Sequence, residues 1–208
     1  MATSLLAPLS TPSLVVTDTP TMEQMRVWWE TMQCDDLSVA YADAFPDTLT
    51  DFRLEIAQGT KKLLVCLING NVAGALWLHD MAHRSDGTVL AGWVGGFFLP
   101  AYRGSLAVRL WQAARQQWEA QGITHLFAAT HIANRRSQAF IARGMGFHRV
   151  GVYPCFTLFH GQTTDVVIYC ANPNDALLAW TYAHKRALCP LQHVTRERAL
   201  AIREGEKS

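Results

Sequence analysis

A chain of 208 residues is long enough for one sizeable hydrophobic core and short for two. Half of the residues are hydrophobic and 17% are charged, which excludes a disordered tail; the formal net charge of +1 gives no general electrostatic case for nucleic acid or an anionic membrane surface. No apolar run reaches the roughly 18 residues of a membrane span, and Met1 to Val16, though apolar, lacks the basic start of a signal peptide.

In chain order, residues 1–21, with Pro8, Pro12 and Pro20, read as an extended leader. Met22 to Gln33 places Met25, Trp28, Trp29 and Met32 at helical spacing, which predicts a helix packed on a sheet, and Thr48 to Gln58 predicts a second with Thr48 or Thr50 as its cap. Leu63 to Ile68 and Val72 to Leu78 flank Asn69-Gly70-Asn71, a hairpin signal, because Asn-Gly suits a tight primed turn. Val89 to Phe98 is the next strand. Leu106 to Glu119 is an amphipathic helix closed by Gln121-Gly122. Leu126 to Thr130 is a further strand, and Arg135 to Arg143 a short helix. It is stopped at Gly144-Met145-Gly146-Phe147, with glycine in its usual place beyond a helix end. Arg149 to Phe159 and Asp165 to Cys170, joined through His160-Gly161-Gln162, form a last hairpin. Asp175 to Leu188 returns to helix, and Thr195 to Glu206 is a charged end. The expected organisation is a leader (1–21), one domain (22–171) and a helical extension (172–208). Cys34, Cys66, Cys155, Cys170 and Cys189 are odd in number and without a Cys-x-x-Cys pair, which fits buried reduced thiols in a cytoplasmic protein.

Chemistry concentrates at Phe97-Phe98-Leu99-Pro100-Ala101-Tyr102-Arg103-Gly104-Ser105. A strand here runs into Pro-x-Tyr-Arg-Gly-Ser and directly into a helix. Backbone N–H groups at a helix start lack intrahelical partners and sit at the positive end of the helix dipole, so this turn is a ready cradle for phosphate. Further on, Thr130-His131-Ile132-Ala133-Asn134 leads into the short helix and Gly146-Phe147. In the order of these elements and in both motifs, Thr60 to Ala171 resembles the GCN5-related N-acetyltransferase (GNAT) superfamily. That family's pyrophosphate turn is Gln/Arg-x-x-Gly-x-Gly/Ala, and its second signature is Asn, a helix, then Gly-Phe.

The resemblance implies a single-domain α/β fold: a mixed, mostly antiparallel sheet with helices on both faces, here followed by a C-terminal helical extension. It implies that the fourth and fifth strands splay and that acetyl-CoA, the co-substrate, lies between them. Gly96 and Phe98 would offer main-chain partners to pantetheine. Arg103, Gly104, Ser105, Leu106, Ala107 and Val108 would surround the pyrophosphate, Asn134 would hold the arm or its neighbouring backbone, and Phe140 would pack near it. Ser105 and Ser137, near helix starts, read as caps or phosphate donors.

Three departures stand out. In the register set by Arg103, the family's two small positions hold Leu106 and Val108. The Asn-to-Gly-Phe spacing is one residue longer than usual, so the family's tyrosine acid falls on Ile141 or Ala142. Gly92 to Phe98 carries no Asp or Glu to serve as a strand base. Replacements are His131, as base or proton relay, His79 beside Asp80, and Tyr153 on the later hairpin. His79 and His83 have i, i+4 spacing but no third ligand, so no metal site is expected.

The expected activity is transfer of an acetyl group from acetyl-CoA to the primary amine of a small molecule or peptide, by direct attack in a ternary complex. The alternative is a catalytically degenerate GNAT-like binding protein, phage-encoded and serving in a virion or its assembly. No nucleic-acid or membrane partner is expected, and a homodimer stays open.

Overall fold

The computed structural model describes residues 12–33, 48–159 and 162–187. The first two helices form as their spacing predicts, α1 at Met22–Gln33 and α2 at Leu49–Ala57. Thr48 caps α2 by accepting the Asp51 N–H, while α1 begins with a reciprocal pair of bonds between Thr21 and Gln24. The remaining helices are α3 (Ser105–Ala120), the five-residue α4 (Arg135–Ala139) and α5 (Ala176–Ala187).

Among the described residues, seven strands form one sheet: β1 Leu14–Thr17, β2 Lys62–Ile68, β3 Asn71–His83, β4 Val89–Phe98, β5 His125–His131, β6 His148–Phe159 and β7 Gln162–Cys170. Their order across the sheet is β1-β2-β3-β4-β5-β7-β6, and only the β4–β5 pair is parallel. The Asn69-Gly70 turn has positive φ at both residues, as a primed hairpin requires. Within the span expected as a leader, Leu14–Thr17 is the sheet's edge strand, paired antiparallel with β2. Four residues with one proline-bounded side gave too short a pattern to read as a strand. The His160–Gly161 link and the charged end at Thr195 to Glu206 lie outside the described residues.

The sheet is covered on both faces. On one, α3 buries Leu110, Trp111, Ala114 and Trp118 against Leu76, Val94, Leu126 and Val167. On the other, α1 and α2 set Trp28, Trp29, Met32 and Phe52 against β2, β3 and Phe97, while α5 places Ala179 and Ala183 against Phe127, Val166 and Ile168. The tryptophans expected on the inner side of α1 are core: Trp28 is wholly buried and touches both Phe52 and Trp77. Fully burying side chains of this size contributes about 1.5–3 kcal/mol each, which holds the helical layer to β3.

Candidate functional site

β4 and β5 are paired only over Ala91–Trp93 and His125–Phe127. Beyond that row each strand keeps its other neighbour: β4 follows β3 up to the Gly74–Phe98 pair, and β5 follows β7 to the His131–Val166 pair. The two strands therefore diverge from one another over the last five residues of β4. At the rise of a strand this is a gap about 16 Å deep.

Close packing explains why β4 stays with β3. A Cβ on Gly95 would lie 2.1 Å from the Trp77 indole, and one on Gly96 would lie 2.5 Å from Leu76 Cδ2. Glycine at both positions lets the large side chains of β3 lie flat across β4. On the α3 side, Phe98 meets Phe140 edge-on at 5.9 Å, so an aromatic pair joins the two arms near the mouth.

At that mouth the chain turns through the short helical segment Pro100–Tyr102 into α3. Arg103 is folded back: its Nε donates to the Phe98 carbonyl at 2.9 Å and its guanidinium lies over the Phe97 ring. This side chain braces the turn against the strand. Gly104 is the N-cap, at φ 78° and ψ −134°, with no side-chain cap and no atom within 4 Å of where a Cβ would sit. The first helical bond runs from Val108 N to Gly104 O, so the N–H groups of Ser105, Leu106 and Ala107 precede the hydrogen-bonded ladder. Neither α3 nor α4 carries an acid in its first turn, whereas α1 and α2 begin with Glu23 and Asp51. Both helix starts beside the gap thus keep their positive dipole ends.

The branched residues at the expected small positions are absorbed by packing. Leu106 packs on the main core, and a Val108 methyl lies 3.1 Å from where a Cβ on Gly144 would stand. Asn134 caps α4 by accepting the Ser137 N–H at 3.0 Å, which assigns its oxygen, and the Ser137 amide, to local structure. Gln138, which sequence reasoning passed over, donates to the Ile132 carbonyl at 2.6 Å and ties α4 to the tip of β5. The longer spacing after Asn134 is taken up by a π turn over Phe140–Gly144, closed by Met145 N to Phe140 O. One extra residue in a helix produces this wider turn. Ile141 is buried in the core and Ala142 is exposed, so neither register offers an acid to the gap.

The three candidate proton carriers are not brought together. His131 is buried, at the mouth end of β5, four residues or about 13 Å from the Phe127 row. Tyr153 shares its row through Val166, but the Tyr153 hydroxyl is hydrogen-bonded to His184 Nδ1 at 3.0 Å and its ring packs on Trp180, both from α5. His79 stands in the row of the last β4–β5 pair, opposite Trp93, with Nδ1 2.9 Å from Asp80 Oδ2. No group of three or more metal-ligating side chains occurs among the described residues. Burial pushes the Cys66 thiol up to about 12 and raises Cys170, mainly for the same reason, so neither supplies a thiolate at neutral pH. Among the described residues no helix is long and apolar enough to cross a membrane.

Comparison with known proteins agrees with this geometry. A family model described as Acetyltransferase (GNAT) family matches residues 24–147. No curated protein sequence matches the chain. Among solved structures, the acetyl transferase that modifies the N-terminal serine of ribosomal protein L7/L12 in Salmonella typhimurium is 18% identical with a TM-score of 0.61, over 78% of this chain and 96% of that one. The ribosomal L7/L12 alpha-N-protein acetyltransferase RimL in complex with coenzyme A is 18% identical with a TM-score of 0.57, over 79% and 98%. The microcin C7 self-immunity acetyltransferase MccE, with acetyl-CoA and AMP, is 15% identical with a TM-score of 0.58, over 76% and 91%.

Proposed function

Since the chain belongs to the GNAT acetyltransferase family, we propose that it moves an acetyl group from acetyl-CoA to a primary amine, by direct attack within a ternary complex. One observation carries the reading: the β4–β5 gap opens onto an uncapped helix N-terminus. The amides of Ser105 to Ala107 suit the pyrophosphate, and the gap's depth suits an extended pantetheine arm, with backbone of the diverging strands beside it. Phe98 and Phe140 bound that arm on the α3 side, and Gly104, lacking a side chain, leaves room at the phosphates. Coenzyme A complexes of RimL and acetyl-CoA complexes of MccE favour the same ligand here.

RimL acts on a protein α-amine, which makes peptide N-termini the first acceptors to try alongside small amines.

Thermal melting against rising acetyl-CoA tests binding. A specific site stabilises by about 2.7 kcal/mol at a concentration a hundredfold above Kd, and adenosine 3′,5′-bisphosphate should give part of that rise. Release of the CoA thiol in the presence of free amines tests transfer. An unchanged melting temperature refutes the proposal. Binding without transfer to any amine selects the second reading, a catalytically silent acyl-CoA-binding protein, which the buried Ile141 at the expected acid position favours.

A further inference from the structure

Charge is spread unevenly along this nearly neutral chain. Between Asp86 and Asp165 the sequence holds seven arginines, no lysine and a single acid, Glu119, although the whole chain carries a formal charge of only +1. This stretch supplies β4, β5, α3 and α4, the elements that surround the gap. Two of its arginines are engaged locally: Arg103 on the Phe98 carbonyl and the Phe97 ring, and Arg115 on Glu119. The second pairing uses the one acid of the stretch. Arg109 and Arg136 are exposed, and among the described residues neither side chain makes a hydrogen bond or ion pair. Asp165, the next acid along the chain, stands on β7, which borders β5 on the side away from the gap. Clustered charge of one sign raises the local concentration of anions.

Contacts between the two helices fix where these arginines stand. Both α3 and α4 start at the mouth of the gap. They meet where a Val108 methyl lies 3.1 Å from the place of a Cβ on Gly144, and where Trp111 Nε1 donates to the Met145 carbonyl at 3.2 Å. Arg109 follows Ser105 by four residues, so it is one turn along α3 and on the same face. Helical side chains lean toward the N-terminus, so Arg109 covers the turn that carries the amides of Ser105 to Ala107. On α4, Arg136 is one turn before Phe140, whose ring meets Phe98 at the end of β4. A turn rises about 5.4 Å, which places Arg136 outside the aromatic pair at the mouth. The two arginines therefore flank the outer side of the amide turn, one on each helix.

We infer that Arg109 and Arg136 form a second anion site outside the amide turn, and that its ligand is the ribose 3′-phosphate of coenzyme A. The inference rests on the acetyl-CoA reading and adds cofactor specificity to it. With the pantetheine arm in the gap and the pyrophosphate on the amides, the nucleoside leaves outward, past the first turns of both helices. One ribose separates its 3′-phosphate from the pyrophosphate, so a second dense negative charge arrives beside Arg109 and Arg136. A terminal phosphate offers three acceptor oxygens and nearly two charges at neutral pH, and guanidinium forks meet such oxygens two at a time. Backbone amides at a helix start accept the pyrophosphate of any nucleotide carrier. The arginines distinguish coenzyme A from carriers that lack the 3′-phosphate.

Titration calorimetry on the full-length protein tests this with acetyl-CoA and acetyl-3′-dephospho-CoA, which differ only in that phosphate. The wild type should bind acetyl-CoA about tenfold or more tightly, the size expected of hydrogen bonds between charged groups. Arg109→Gln and Arg136→Gln should each cut this ratio about threefold or more, and the double variant should bring it near one, without weakening acetyl-3′-dephospho-CoA. Arg115→Gln removes an equal charge farther along α3 and should keep the wild-type ratio. Equal affinities in the wild type overturn the assignment alone. So does a ratio that survives in the double variant, that falls as far in Arg115→Gln, or that stays constant because the variants weaken both nucleotides alike. Binding of neither nucleotide overturns the acetyl-CoA reading and this assignment together.

Discussion

Gly104→Ala isolates the backbone of the turn proposed to hold the pyrophosphate. The residue caps α3 at φ 78° and ψ −134°, and a Cβ added there meets nothing within 4 Å. Any cost is therefore conformational and not a collision. A non-glycine residue held in such a region costs about 1–3 kcal/mol. For a chain of this size each kcal/mol lowers the melting temperature by about 2–4 °C, so the variant should melt about 2–12 °C early without ligand. The turn can relieve the strain by rotating, which re-aims the amides of Ser105 to Ala107, so the rise in melting temperature with acetyl-CoA should shrink as well. Gly59→Ala is the matched control. It also has positive φ and open space around the Cβ, but it lies beyond α2, away from the gap. It should lose stability and keep its full response to acetyl-CoA. If Gly104→Ala melts with the wild type and responds equally to acetyl-CoA, the turn is not held as described and the cradle reasoning fails.

Gly95→Ala tests close packing: its Cβ would lie 2.1 Å from the Trp77 indole, so the ring must move, at an overpacking cost of about 1–3 kcal/mol, read by denaturant unfolding and by tryptophan emission. Cys66 gives a signed pH dependence. Its thiol is raised by burial from an ordinary value near 9 to about 12, so the folded chain keeps a proton that the unfolded chain releases, and stability falls as pH rises through that window. Its share of the slope is about 1.4 kcal/mol per pH unit, and Cys66→Ala should flatten the decline above pH 9 in urea melts; an unaltered slope would contradict the burial. Asp175 is buried and 2.8 Å from His125 Nδ1, joining the start of α5 to that of β5. Asp175→Ala should cost about 1–3 kcal/mol and speed amide exchange in α5 before the rest of the sheet.

Much of the fold was legible because it is written in local periodicity. The Trp28-Trp29-Met32 stripe, the Asn-Gly turn and the short apolar run Val89 to Phe98 ending at a proline each point to the element that forms. What escaped was decided by partners far away in sequence. Leu14–Thr17 is a strand because Ile68 to Val65 offers it an open edge, and no local signal announces that. The bulge at Asp80 is similar. Read alone, the strand runs from Val72 to Leu78; that it continues to His83 around an extra residue appears only when it is counted against β4.

For the site, the sequence singled out the segments that flank the β4–β5 gap and left the side chains' roles open. Arg103 reads as a phosphate ligand by position, yet a carbonyl five residues back and an aromatic face beside it satisfy the guanidinium within the turn. Asn134 reads as a ligand group, but a side-chain oxygen two bonds from a helix start finds the nearest orphan N–H first, here that of Ser137. Tyr153 has the parity to face the same side of the sheet as His131, and parity cannot foresee that α5 would bring His184 and Trp180 to it. The longer spacing after Asn134 was a numerical oddity in the sequence and becomes a physical statement in the structure. An inserted residue cannot be carried by an α-helix without rotating everything beyond it by about 100°. The π turn at Phe140–Gly144 absorbs that rotation, so Phe140 still meets Phe98 and Phe147 still packs on Trp111. The same turn commits Ile141 to the core. A chain that keeps the gap's wall in this way places no acid at that position.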